Sequence, residues 1–277
     1  RKGFPGWGDD LKLEYLSAIK AKKLLPTAEL NNGFIRPKFP EQILVSYYQA
    51  SLICEYVDQK FGFPAILRML ALYKEGKSTA DVFKQALNLS LDDFDKEFFK
   101  WVDNRVAAID AKQFTQLLTT GEESLAMGEI DKAIEVLKSA IEMYPEYTDA
   151  HNAYEPLAEA YLKKGNKKAA TDVLTQFMMY SETGYESSLQ LAELLKESGD
   201  TSGQERALEA GWYIRPLDME GHQRLGDLLL SQKQYPGAAR EFEALIALSA
   251  PDRAGVYYRL AEANLGQGNR QDARRNV

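Results

Sequence analysis

The sequence predicts an all-α protein in which a helical domain is followed by an α-solenoid of helix hairpins. Three observations lead to this prediction. From about residue 114 onward, small residues recur with a period of about 34 residues. Before residue 110 the apolar residues follow helical spacing without such a period, and no segment alternates as a β-strand does. We therefore expect two domains, residues 1–110 and 111–277.

Composition and charge exclude several classes of function. Of the 277 residues 45% are hydrophobic and 27% charged, which is typical of a globular protein. The formal net charge of −7 falls on the repeats and gives no reason to expect a nucleic acid as partner. No apolar run is long enough for a membrane span. The single cysteine excludes an internal disulfide, and His151 and His222 lack HExxH spacing, so no metal or cofactor is predicted within these residues.

The repeat consists of five blocks that start near residues 114, 151, 185, 219 and 254. Position eight of each block is small, position fifteen is glycine except at Lys233, and position twenty is alanine except at Gln204. Small residues let two antiparallel helices approach closely, and glycine permits the turn between them. We expect the loosest packing in the third block, which contains Gln204 and Gly211. The fifth block stops at Val277, before its second helix is complete, so a truncated last repeat is predicted.

This pattern resembles the tetratricopeptide repeat. The resemblance implies a concave groove, lined by the first helix of each block, that binds a protein or peptide. The expected groove residues are Leu118, Glu122, Glu155, Glu159, Leu189, Glu193, Gln223, Asp227, Tyr258 and Glu262. Their carboxylates would favour a basic partner. The alternative is that these carboxylates form an ordinary solvated face, because an acidic ninth position is common in this repeat type.

The first 110 residues predict further helices. We expect one over residues 9–23, a loop over 31–40, and a central helix over 41–61 that is buried on several sides. Another helix follows over 63–74. Ser78 with Asp81 and Ser90 with Asp93 form two capping boxes, and each marks the start of a helix.

Residues 9–105 carry a second resemblance, through Tyr47–Val57, Phe61–Gly62, Gly76–Lys77 and Ala86–Trp101. They are similar to the C-terminal helical half of the bacterial peptidase MA-like family, which are gluzincin zinc metallopeptidases. The resemblance implies that HExxH and the third glutamate ligand lie upstream of Arg1, so zinc belongs only to the full-length protein. It also implies that Tyr47, or as second choice Tyr48, is the tyrosine that stabilises the oxyanion. The alternative is a tyrosine of the helical core.

The function expected from the sequence is a protein–protein interaction scaffold, attached to a metallopeptidase-like domain and not itself catalytic. One alternative is that the full-length protein is a zinc metallopeptidase that the repeats brace or gate. Another is a purely structural assembly module. The resemblance implies a bacterial protein, and the sequence does not distinguish cytoplasm from cell envelope.

Overall fold

The computed structural model describes residues 11–275, and in this range every regular element is a helix. The predicted all-α class is therefore confirmed. The chain divides into two compact units, the helical unit of residues 11–116 and the solenoid unit of residues 117–275. The division falls inside the helix Ala111–Ala126, a few residues after the boundary expected at 110.

The helical unit contains six α-helices and one 3-10 turn. In chain order they are α1 (Leu13–Lys20), the 3-10 turn Thr27–Glu29, α2 (Asn32–Ile35), α3 (Gln42–Phe61), α4 (Phe63–Lys74), α5 (Thr79–Leu87) and α6 (Leu91–Val106). The helix expected over 9–23 is shorter, because the chain turns at Ala21 and Lys22; residues 9 and 10 lie outside the described range. The expected loop over 31–40 contains α2.

Both capping boxes are confirmed. The Ser78 hydroxyl accepts a hydrogen bond from the backbone N–H of Asp81 at 3.2 Å, and the Ser90 hydroxyl accepts one from Asp93 at 3.1 Å. Each serine thereby satisfies a backbone donor that the first helical turn leaves unpaired. These two bonds fix the starts of α5 and α6.

The core of the helical unit is an aromatic cluster. The ring of Phe94 lies 4.7 Å from Phe83, 5.6 Å from Tyr56 and 5.8 Å from Phe98. Phe94 and Phe98 are fully buried. These contacts hold α3, α5 and α6 together through offset and edge-to-face packing.

A buried carboxylate ties the 3-10 turn to α6. Asp95 accepts hydrogen bonds from the Thr27 backbone N–H at 3.0 Å and from the Thr27 hydroxyl at 2.5 Å. Burial raises the pKa of Asp95 above its ordinary value, although the hydrogen bonds from Thr27 act in the opposite direction. The turn therefore has a specific polar anchor in an otherwise apolar core.

The expectation that α3 is buried on several sides is wrong for one of its faces. Val45, Leu52 and Val57 are buried, whereas Leu44 and Tyr47 are exposed. None of the side chains of α4 is fully buried. The physical reason is that the described neighbours of α3 and α4 cover only part of their apolar surface.

The solenoid unit is formed by ten helices, of which the first begins before the unit boundary. They are α7 (Ala111–Ala126), α8 (Ile130–Met143), α9 (Tyr154–Lys163), α10 (Lys167–Tyr180), α11 (Tyr185–Ser198), α12 (Thr201–Ile214), α13 (Met219–Ser231), α14 (Tyr235–Ala247), α15 (Arg253–Gly266) and α16 (Arg270–Arg275). From α8 to α16 each helix packs against the next, as stacked hairpins do.

Position fifteen of the blocks has the left-handed backbone that the sequence pattern predicts. Gly128, Gly165 and Gly199 each have φ of +78°, and Gly268 has φ of +83°. Lys233 stands at this position in the fourth block and adopts φ of +60°. Its Cβ makes this conformation unfavourable compared with glycine.

Replacing Lys233 with glycine should therefore raise the free energy of unfolding by about 0.5–1 kcal/mol, the lost strain being partly offset by a more flexible unfolded chain. Urea denaturation followed by circular dichroism measures the change. The reverse replacement, Gly199→Lys, should lower the stability by a similar amount. If Lys233→Gly and Gly199→Lys changed the free energy of unfolding in the same direction, this explanation would be contradicted.

Candidate polypeptide-binding groove

The predicted groove residues lie on the first helices of the blocks, α7, α9, α11, α13 and α15. Six of them are exposed and two are half-buried. The exposed residues are Glu122, Glu155, Glu159, Glu193, Tyr258 and Glu262, and the half-buried residues are Gln223 and Asp227. Tyr258 is the one aromatic residue of the predicted groove set, and 66% of its surface is exposed.

Leu118 and Leu189 differ from the prediction. Only 7% of the surface of Leu118 and 8% of that of Leu189 is exposed. Apolar side chains at these helix positions lower the free energy more by packing within the unit than by facing water. These two residues therefore support the groove from beneath and do not offer an open contact surface.

Ion pairs and hydrogen bonds neutralise much of the expected acidic ladder. Arg259 of α15 pairs with Asp227 of α13, and this contact joins two successive blocks. The Ser187 hydroxyl donates to Glu155 at 2.5 Å, again across a block boundary. Within single helices, Lys163 pairs with Glu159 at 2.8 Å and Lys196 approaches Glu193 at 3.4 Å.

Among the described residues, two groove carboxylates, Glu122 and Glu262, form no ion pair. On α15 the carboxylate of Glu262 lies between Tyr258 and Leu265, which are respectively four residues before it and three residues after it, and all three are exposed. This spacing places them on one face of the helix. The result is a short apolar and acidic stripe at the fifth block.

A tyrosine and an aspartate link the third and fourth blocks. The Tyr185 hydroxyl donates to Asp218, which also accepts from the backbone N–H of Gly221 at 2.9 Å. Burial acts to raise the pKa of Asp218, but these hydrogen bonds outweigh it and hold the pKa below its ordinary value. Arg215 lies over the Tyr185 ring at 4.3 Å. The junction is therefore held by polar contacts.

An open cavity of about 580 Å³ lies between the third and fourth blocks. Its buried apolar side chains are Ala192, Leu208 and Leu228, and two of the groove residues, Glu193 and Asp227, also line it. Gln204 of the third block is a lining residue. The loosest packing expected for that block is not found at Gly211, where an added Cβ would lie 2.5 Å from the Ser188 hydroxyl oxygen. The sequence pattern predicts no site at this cavity.

The two histidines do not form a reactive site. His151 is exposed, whereas His222 is buried and lies 2.8 Å from Glu241 through Nδ1 and 2.9 Å from the Pro216 carbonyl through Nε2. Both ring nitrogens of His222 thus have structural partners. Within residues 11–275, no three histidine, cysteine or carboxylate side chains are grouped so that they could hold a metal ion.

In the helical unit, Tyr47 and Tyr48 have opposite surroundings. Tyr47 is exposed over 65% of its surface and packs edge-to-face on Phe34 at 4.8 Å, whereas Tyr48 is buried and stacks on Tyr15 at 4.5 Å. The alternative of a core tyrosine therefore describes Tyr48 and not Tyr47. Leu44, three residues before Tyr47 on α3, is also exposed.

In the described part of the chain, no helix combines the length and apolar character needed to cross a bilayer.

Both family matches lie in the solenoid unit. Two tetratricopeptide repeat models match, one over residues 124–180 and the other over residues 223–275. The BBSome complex member BBS4 of Bos taurus is 23% identical, and the match covers 76% of this chain and 49% of that protein. The chain thus spans about half the length of this relative.

Solved structures with similar folds include the MamA protein and YrrB, a TPR protein with an unusual peptide-binding site. MamA is 19% identical with a TM-score of 0.43, over 60% of this chain and 89% of that one. YrrB is 18% identical with a TM-score of 0.43, over 58% of this chain and 80% of that one. From the two family matches and the stacked hairpins, we conclude that residues 124–180 and 223–275 are tetratricopeptide repeats and that the solenoid unit is a protein–protein interaction scaffold.

Proposed function

We propose that the first helices of the solenoid unit bind a polypeptide segment that carries both basic and apolar side chains. The observation on which the proposal rests is the exposed stripe Tyr258, Glu262 and Leu265 on α15. A basic side chain of the ligand can pair with the carboxylate of Glu262, and a neighbouring apolar side chain of the ligand can contact Tyr258 or Leu265. Glu122 adds a second unpaired carboxylate on α7.

The ion pairs of the groove determine how strongly it prefers basic ligands. Because Asp227 is paired with Arg259, a ligand gains little from this carboxylate unless it displaces the arginine. The basic preference therefore depends on Glu122 and Glu262 and is weaker than the full acidic ladder would give. It should decrease further as salt is added, since both carboxylates are exposed.

Replacing Glu262 with lysine should weaken binding of basic peptides roughly fivefold or more, because the stripe then repels the ligand. The measurement is retention of the chain on an array of short peptides that differ in net charge and in apolar content. Glu243→Lys is the matched control: it makes the same charge change at an exposed position on α14, a second helix. Equal losses with both variants, or retention that ignores peptide charge, would refute the proposal.

As a second candidate, we propose that the full-length protein is a zinc metallopeptidase whose helical unit contributes Tyr47. The exposed phenol of Tyr47 supports this candidate, since a group that donates to an oxyanion must be reachable by a substrate. Exposed Leu44 and the uncovered apolar side chains of α4 are consistent with a further domain packing on this surface. In this candidate the zinc ligands come from residues before Arg1, and the repeats brace or gate the enzyme.

The first test is to read the residues encoded before Arg1 for HExxH and a downstream glutamate. If they are present, Tyr47→Phe in the full-length protein should lower kcat about a hundredfold, because the phenol donates to charge that develops in the transition state. Tyr73→Phe removes another exposed phenol and serves as the control. Unchanged kcat for Tyr47→Phe would exclude the catalytic role, and absence of the motif would exclude the candidate.

A further inference from the structure

Successive blocks of the solenoid meet through a recurring pair of positions. Position seventeen, near the start of a second helix, faces position thirteen, near the end of the next first helix. At the junction of the second and third blocks these are Lys167 and Glu197, which form an ion pair at 2.5 Å. At the junction of the fourth and fifth blocks they are Tyr235 and Gly266, and a Cβ added to Gly266 would overlap the tyrosine ring. The first junction is therefore bridged by an exposed ion pair, and the second is filled by the ring of Tyr235.

The junction of the third and fourth blocks is different. The same two positions are Thr201 and Ser231, which are both small, and both line the open cavity of about 580 Å³. The cavity thus lies at the place that the ring of Tyr235 occupies at the junction of the fourth and fifth blocks. Its volume is within the range of pockets that bind small ligands. We call it the Thr201 cavity.

The polar groups of the Thr201 cavity are unusual for this repeat. Gln204 lines it at position twenty, where the other four blocks have alanine. Among the described residues, the side-chain amide of Gln204 has no hydrogen-bond partner. An amide at this position offers both a donor and an acceptor to a ligand.

The charged residues of the cavity cancel one another. Glu193 and Lys196 line it as a pair at 3.4 Å, and Arg224 and Asp227 line it while paired to neighbours outside it. A ligand that enters the cavity therefore meets no net charge. It meets buried apolar side chains, such as Leu208, together with the free amide.

We propose that the Thr201 cavity binds a tyrosine side chain of the polypeptide that occupies the groove. The phenol ring takes the place that Tyr235 has at a neighbouring junction, and its hydroxyl bonds to the Gln204 amide. Phenylalanine would fill the same volume but leave the amide unpaired, and leucine would lack the planar shape. The inference rests on the proposed function, because the cavity opens between the groove residues Glu193 and Asp227.

The test is a titration of the full chain with N-acetyl-tyrosinamide, followed by methyl NMR of Leu208 and Leu228. Both leucines line the cavity, so ring currents should shift their methyl resonances. We expect saturation at roughly millimolar ligand. N-acetyl-phenylalaninamide should bind about threefold to tenfold more weakly because it lacks the hydroxyl. Shifts that rise linearly without saturation, or equal affinity for the two compounds, would overturn the proposal.

Two variants make the site assignment specific. Thr201→Tyr fills the cavity from within, as Tyr235 fills its junction, and should abolish the shifts while the helical circular dichroism is retained. Gln204→Ala introduces the residue of the other blocks and should remove the preference for tyrosinamide over phenylalaninamide. Persistent saturable shifts in a folded Thr201→Tyr variant, or an unchanged preference in Gln204→Ala, would overturn the proposal. Peptide retention that depends on Glu262 in the absence of tyrosinamide binding would overturn this inference alone and leave the proposed function standing.

Discussion

Replacing Glu241 with alanine is expected to lower the free energy of unfolding of the solenoid unit by about 4 kcal/mol. The carboxylate of Glu241 is 2% exposed, lies 2.8 Å from Nδ1 of His222 and accepts a hydrogen bond from Arg240 at 3.0 Å. The Nε2 atom of His222 must carry a proton, because its partner, the Pro216 carbonyl, can only accept. Without Glu241, the other ring nitrogen is left buried and without a partner.

The pair joins both helices of the fourth block to the end of the third block. His222 lies on α13, Glu241 on α14, and Pro216 in the connection that follows α12. Loss of the carboxylate also leaves a cavity that the neighbouring helices fill only partly. Both effects act at the same place, which explains why a single substitution there should be so damaging.

Urea denaturation measures the loss, and amide hydrogen exchange locates it: α13 and α14 should exchange faster, whereas α3 and α6 should not change. Arg240→Gln is the control, since Arg240 is exposed and its removal should change stability by less than about 1 kcal/mol. The double variant Glu241→Ala with His222→Leu should be less destabilised than the sum of the single variants. A loss below about 1 kcal/mol for Glu241→Ala would contradict the importance of the pair.

The sequence predicts the helices of the solenoid unit well because their positions depend on local features. Small residues such as Gly121 must stand where helices approach closely, and a Cβ there would lie 2.5 Å from the Leu137 side chain. Positions where φ is positive favour glycine, as at Gly128. These requirements recur in every block, so even Lys233 is recognised as a turn residue from its register alone.

The groove could be predicted only in part, because its electrostatics depend on contacts between blocks. The pairing of Asp227 with Arg259 joins residues 32 positions apart and depends on the rotamers of both side chains. The Thr201 cavity likewise becomes evident only when positions from two neighbouring blocks are compared. A signal for it was present in the sequence, since Thr201 and Ser231 are both small.

In the helical unit, the sequence predicts the helices but not which of their faces are buried. The apolar residues of α3 predict burial, but their number does not tell which faces other helices cover. Tyr47 and Leu44 are consequently exposed in a helix whose opposite face contains buried Val45 and Leu52. Periodicity identifies the element, whereas tertiary contacts decide the surroundings of each side chain.

The stability of the helical unit should depend most strongly on the aromatic cluster around Phe94. Phe94→Ala is expected to lower the free energy of unfolding by about 3–5 kcal/mol, because it removes a fully buried ring and leaves a cavity. The rings of Phe83, Tyr56 and Phe98 lose their common neighbour at once. Rigid aromatic side chains on three different helices are poorly able to close such a gap.

The matched control is Phe63→Ala. Phe63 is also a phenylalanine on a helix of the same unit, but more than half of its surface is exposed, so its removal should change stability by about 1 kcal/mol or less. Urea denaturation compares the two variants, and amide exchange should accelerate in α3, α5 and α6 for Phe94→Ala only. Similar losses for the two variants would show that the cluster is not the main core of this unit.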